Sequence, residues 1–171
     1  AEGKIRLKGQ SAYSDEHFAR AVPIVKPMVL QSWANALQPN FLTAGGVVPG
    51  LLAEYQMSYV AFSPLAQGLM LDKFDAENPP KFEAGDHRKD SVKFSTETLR
   101  KLKPKMGKLK ARFGDTIEDL SAVAQRYILN HPNVACAIPG FRNERQVACN
   151  LAAADRELSA EDMEFIEQTL G

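Results

Sequence analysis

The chain is poor in the features that mark several large protein classes. It has two cysteines, Cys136 and Cys149, in 171 residues. Two thiols cannot build a disulfide framework or supply the four ligands of a structural zinc site. The three histidines, His17, His87 and His131, show no metal-ligand spacing. Neither charge is in excess: 21 Lys and Arg balance 21 Asp and Glu. That removes the long-range field with which nucleic-acid or anionic-membrane binders steer their partners. No apolar run approaches the roughly 20 residues that span a bilayer. The best candidate, 21–30, is broken by Pro23, Lys26 and Pro27. G-x-S-x-G, the P-loop and G-x-G-x-x-G are all missing. The chain opens without Met and without a basic-then-apolar leader, and it enters a strand-like segment almost at once. This opening predicts a chain that begins inside a larger protein, and the two cysteines predict reduced thiols in a cytoplasmic setting.

What is present is an ordinary core and an alternation of short elements. Apolar residues make up 44% of the chain, and its length suits one domain over residues 1–171. Lys4 to Gly9 reads as a strand, with Ile5 and Leu7 alternating against Arg6 and Lys8. Ser14 is placed to cap a helix, with Tyr13 and Phe18 as its hydrophobic staple and Pro23 ending or bending it. Met28–Trp33 is a second strand, Leu51–Met57 a helix and Tyr59–Phe62 a third strand.

Residues 63–95 have no steady period and read as a long loop, either a lid or disordered. Asp86-His87-Arg88 inside it reads as a solvated segment, with contact to a site as the alternative. Leu99, Leu102, Met106, Leu109 and Phe113 then mark an amphipathic helix, with Pro104 predicted to kink it and Gly114 to stop it. Its basic residues read as a solvated face. Thr116 with Asp119, and Ser159 with Asp162, are capping boxes for two more helices. Between them lie a strand at Val134–Ile138 and a helix from about Glu144 to Ala154. Strands alternating with helices imply a parallel sheet. Four such units are half of the roughly 250-residue eight-stranded barrel.

At the strand ends the chain resembles the aldo-keto reductase family. Gly3-Lys4-Ile5-Arg6 leading to Gly9-Gln10-Ser11-Ala12-Tyr13-Ser14 is similar to the family's fifth barrel strand, and Val29-Leu30-Gln31 to its sixth. Val60-Ala61-Phe62-Ser63-Pro64-Leu65-Ala66-Gln67-Gly68 resembles the seventh strand and its loop. Ile138-Pro139-Gly140-Phe141-Arg142-Asn143-Glu144-Arg145-Gln146-Val147 with Asn150 resembles the eighth strand and the helix after it.

The resemblance implies an α/β fold of the TIM-type (β/α)₈ class, with this chain covering the last four units and a closing helix. It implies an oxidoreductase that uses NADPH to reduce aldehydes or ketones by hydride transfer. It also implies cofactor roles. Ser11 and Gln31 meet the nicotinamide carboxamide, and Phe62 stacks on the ring. Ser63, Leu65 and Gly68 meet the pyrophosphate through small residues and free N–H groups. Arg142 and Gln146 hold the adenosine end, Arg142 suiting a 2′-phosphate, with Arg145 a nearby cation. Asn150 contacts the adenine. Cys149, in the same helix, reads as a buried structural thiol.

Three departures stand out: Ala12 replaces the usual Asn, Phe62 the usual Tyr, and the stretch around Gly45-Gly46 does not match the family's pattern. The family's Asp, Tyr, Lys and His that protonate the carbonyl oxygen have no counterpart here. The isolated chain is therefore expected to lack turnover. The partner expectations are a small-molecule carbonyl substrate and either a second copy or a missing N-terminal half. Nucleic acid and membrane are not expected. The alternative is a non-catalytic half-barrel or nucleotide-sensing module.

Overall fold

A computed structural model describes residues 3–171 of the chain. Its framework is a four-stranded, all-parallel sheet in the order β1-β2-β3-β4: Gly9–Ser11, Val29–Trp33, Ser58–Phe62 and Val134–Ile138. Among the described residues six α-helices accompany the strands: α1 (Asp15–Val25), α2 (Val47–Glu54), α3 (Thr96–Phe113), α4 (Ile117–Leu129), α5 (Glu144–Ala152) and α6 (Ala160–Leu170).

Local sequence chemistry accounts for most element ends. Ser14 accepts from the His17 N–H and starts α1. Thr116 and Ser159 form reciprocal capping boxes with Asp119 and Asp162, which set the starts of α4 and α6. Helix α1 passes through Pro23 and stops at Lys26, which turns left-handed at φ 48°. A proline this close to the end removes only one late hydrogen bond. Helix α2 starts at Val47, four residues before the expected Leu51, because Gly46 caps it and Pro49 sits in the first turn, where no N–H is needed. Helix α3 runs through Pro104 with Leu99, Met106, Leu109 and Phe113 all buried on one stripe.

Two expectations fail. The first strand is Gly9–Ser11, not Lys4–Gly9. Ile5 and Leu7 do alternate, but both side chains are exposed, at 70% and 68%. Pairing begins only where β2 begins, at Gly9 opposite Val29. The second failure is the staple. Phe18 is buried edge-on against Phe41, while Tyr13 stacks on Trp33 with ring centroids 5.9 Å apart.

The long segment 63–95 is also ordered. It contains 3₁₀ turns at Ala66–Leu71 and Val92–Phe94. Phe74 and Phe82 both pack edge-on against Phe94 (5.4 and 4.9 Å), so three scattered aromatics pin it. Helix α3 pins it further. Arg100 binds Glu77, and Lys103 and Lys110 both bind Asp72. The basic run of α3 is thus largely engaged within the chain.

The two faces of the sheet differ. Leu30, Ser32, Tyr59 and Ala61 point toward the helices and are fully buried. Their neighbours Gln31, Trp33, Val60 and Phe62 point the other way and are only half-buried. On β4, Ile138, in register with Phe62, is exposed. The helices therefore cover one face of the sheet, and β1 and β4 are its two unpaired edges among the described residues. Unpaired edges and half-exposed apolar rows are surfaces that globular proteins normally cover.

Candidate functional site

The strand order brings Trp33, Phe62 and Ile138 into one row at the C-terminal ends of β2, β3 and β4. In parallel α/β folds, ligands bind at this end, in the loops that follow the strands. After Phe62 the chain reverses sharply, with positive φ at Ser63, Ala66, Gln67 and Gly68. The turn is closed by Ala66 N–H to Ser63 O (3.0 Å) and Gly68 N–H to Leu65 O (2.8 Å). These two N–H groups are engaged and are not free for an anion, contrary to the expectation for this loop. Gly68 has another reason to be glycine. Its φ is +97°, and a Cβ there would lie 2.7 Å from the Lys73 Cε, which occupies the space above it.

A cleft of about 820 Å³ opens between this loop and the turn that joins β4 to α5. It is lined by seven of the nine predicted residues: Phe62, Ser63, Leu65, Gly68, Arg142, Gln146 and Asn150. Its size falls within the range of about 300–1,000 Å³ typical of small-molecule sites. Ser11 and Gln31 lie outside it. They are register partners on β1 and β2, with Gln31 on the open face of the sheet, one step below the row that holds Phe62. Ser11 lines a separate groove along α1 with Tyr13 and His17.

The cleft is rich in positive charge, and each cation is held differently. Arg88 makes a bidentate pair with Asp86 (2.9 and 2.5 Å) and lies 4.3 Å over the Phe82 ring. That pairing holds the Asp86 carboxyl well below the usual carboxylate range. Arg145 binds Glu118 of α4. Arg142 has no ion pair among the described residues, and its backbone N–H donates to Gln146 Oε1 at 2.7 Å. Lys73 is pushed toward a lower pKa by burial, and then by Arg88 and Arg142. Lys73, Arg88 and Arg142 line one partly enclosed cleft, and cations gathered there make a place for an anion.

Asn150 is anchored. Its amide donates to the Gly140 carbonyl (3.2 Å), and its Oδ1 accepts from the buried Gln125 (3.3 Å). Cys149 is buried, and burial together with Glu118 pushes its thiol pKa up, which keeps it protonated and unreactive.

Sequence reasoning missed Lys73 and the contribution of α4 through Ile117 and Ser121, and it left Asp86-His87-Arg88 as solvated loop. All six line the cleft. No periodicity announces that a loop folds back on the strand ends. The one available signal was the density of Lys, Arg and Asp in a segment that begins at a strand's C-terminal end.

The model of the aldo/keto reductase family matches residues 1–170. An uncharacterized oxidoreductase of Mycobacterium tuberculosis is 39% identical over 169 residues, which is 96% of this chain and 49% of the relative. The chain belongs to the aldo/keto reductase family. An aldo-keto reductase from Gibberella moniliformis is 25% identical over 95% of the chain and 48% of its own length. Two solved structures share the fold. A glycerol dehydrogenase from Gluconobacter oxydans matches with TM-score 0.78 at 21% identity over 99% of this chain and 50% of that one. The holo form of an aldo-keto reductase from Bacillus halodurans matches with TM-score 0.70 at 20% identity over 98% and 51%. The chain spans about half the length of the relatives it matches. Within this aldo-keto reductase chain, the four parallel strands and their helices form a half-barrel, consistent with the C-terminal half of the (β/α)₈ fold.

Proposed function

We propose that the cleft takes NADPH and that this chain serves as the cofactor-binding half of an enzyme that reduces aldehydes or ketones. The observation that carries the reading is the convergence of Lys73, Arg88 and Arg142 on one cleft that ends at Phe62. NADPH carries a pyrophosphate between its two ring-bearing halves and a 2′-phosphate on the adenosine half, and the cleft offers both cations and the Phe62 ring. When bound, the nicotinamide supplies hydride chemistry.

The chain's own residues bind and orient. Phe62 gives the nicotinamide a flat wall, which selects one ring face. Gln31 and Ser11 offer amide and hydroxyl partners to the carboxamide on the open face of the sheet. Ser63, Leu65 and Gly68 form the loop wall beside the phosphates, and Lys73 and Arg88 supply the charge. Arg142, without an ion pair among the described residues, takes the 2′-phosphate by charge-assisted hydrogen bonds. Gln146 and Asn150 shape the adenosine end, Asn150 by holding the Gly140 turn.

A proton donor for the carbonyl oxygen does not come from the buried tyrosines. Tyr59 donates to the Trp33 carbonyl (3.1 Å) and Tyr127 to Glu167 (3.4 Å), and burial raises the pKa of both phenols. General acid catalysis needs a positioned, accessible donor. Turnover in this reading requires more of the barrel, where the family resemblance puts the Asp, Tyr, Lys and His that protonate the carbonyl oxygen, and the open sheet face with its two unpaired edges among the described residues supports it. The cover is four further strands, from an N-terminal half or from a second copy.

The test is a titration of the chain with NADPH, followed by the fluorescence of Trp33. That residue borders a second cavity together with Phe62. Saturable quenching, with no NADPH consumed when an aldehyde is added, is the expected outcome. A folded chain whose fluorescence does not change, or one that turns over the aldehyde, contradicts the reading.

A further inference from the structure

We infer that Asp72 is a positioning residue for the cofactor cleft: clasped by Lys103 and Lys110 of α3, it sets the place of Lys73 over Gly68 and against the pyrophosphate. The inference rests on the cleft being the dinucleotide site.

Asp72 ends the turn after β3 in a left-handed conformation, with φ 48° and its N–H bonded to the Leu69 carbonyl at 3.3 Å. Its side chain is only 6% exposed, which is unusual for a carboxylate in a loop. Both of its oxygens accept from Lys103 Nζ at 3.0 Å, and Lys110 Nζ adds a second ion pair. The two lysines stand seven residues apart on α3, on one side of the helix. The next residue, Lys73, leaves this clasp in the direction of the cleft and packs its Cε above Gly68.

Lys73 shares the cleft lining with two other cations, Arg88 and Arg142. Like charges repel, so where the Lys73 ammonium sits among them depends on the direction its backbone gives it. Asp72 is the fixed point. It joins the loop to α3 one residue before Lys73, and the left-handed turn gives Lys73 its direction. The predicted role of Asp72 is therefore exerted through Lys73, without contact between Asp72 and the nucleotide.

The test uses two probes, NADPH and inorganic pyrophosphate, with calorimetric binding to the full chain and to Asp72→Asn, Lys73→Gln and the double variant. A third probe, 2′-AMP, reports on the adenosine end alone. Asp72→Asn is expected to weaken NADPH and pyrophosphate by about tenfold and to leave 2′-AMP unchanged. The double variant is expected to be no weaker than Lys73→Gln. An unchanged NADPH affinity in Asp72→Asn overturns the inference and leaves the cofactor reading intact. So does an equal loss for 2′-AMP, or a further loss in the double variant. Pyrophosphate binding that depends on Asp72 in a chain that ignores NADPH supports the positioning role and removes the cofactor reading. A folded chain that binds neither overturns both. Lys110→Met, which loosens the clasp but keeps Asp72 and Lys73, is expected to reproduce part of the loss for pyrophosphate; no loss at all contradicts the clasp.

Discussion

Arg142→Ala is expected to weaken NADPH binding by roughly 10- to 100-fold, the range for loss of a charge-assisted hydrogen-bonding partner, while NADH binding changes little. The selectivity of the loss is what matters. Arg142 has no ion pair among the described residues, so removing its side chain leaves no buried carboxylate without a partner. The one hydrogen bond it makes to Gln146 uses the backbone N–H, which alanine keeps. Arg145→Ala is the informative contrast. Arg145 is committed to Glu118, and its loss also disturbs the contact between Glu118 and Cys149 at 3.4 Å. It is expected to affect both nucleotides more evenly. Equal weakening of NADPH and NADH by Arg142→Ala would place the 2′-phosphate elsewhere.

Phe18→Ala is expected to cost about 3–5 kcal/mol, the range for removing a large buried aromatic. Phe18 is fully buried and anchors α1 against Phe41 with centroids 5.8 Å apart. Total stabilities run to only about 5–15 kcal/mol. This sheet is also open on one face, so little reserve is expected. A chain of this size shifts by roughly 2–4 °C in Tm per kcal/mol, so the variant should melt roughly 6–20 °C lower. Ile24→Ala, on the same helix but at a position 83% exposed, should stay within about 0.5 kcal/mol of the parent chain. Calorimetric melting of the three proteins checks both statements. Equal shifts for Phe18→Ala and Ile24→Ala would mean that α1 is packed differently.

What could be read from the residues alone was whatever is decided locally. The caps of α4 and α6 were legible because Thr116 with Asp119, and Ser159 with Asp162, carry their reason in four consecutive positions. Strand β4 was legible at its full length, Val134–Ile138. Strand β1 was not, because alternation in Ile5 and Leu7 has meaning only if a partner strand lies alongside, and β2 starts too late to provide one. Tyr13 was assigned to the nearest helix, but its ring instead joins Trp33 and Phe62 from two other strands.

The same divide runs through the candidate site. Seven residues that share the cleft sit near two strand ends, where the family resemblance is strongest. The clasp of Asp72 by Lys103 and Lys110 depends on contacts across some 30 to 40 residues of chain. The segment between them was read as a long loop, a lid or disordered, because Phe74, Phe82 and Phe94 are too far apart in sequence to show any period.

The central claim is that one cleft, between the loop after β3 and the start of α5, holds the dinucleotide. Amide hydrogen exchange of the full chain with and without NADPH tests it most directly. The account predicts slowed exchange at residues 63–73 and 139–150, with no change along α3 or α6. Protection that appears elsewhere, or a folded chain whose exchange is unaltered at saturating NADPH, would contradict it.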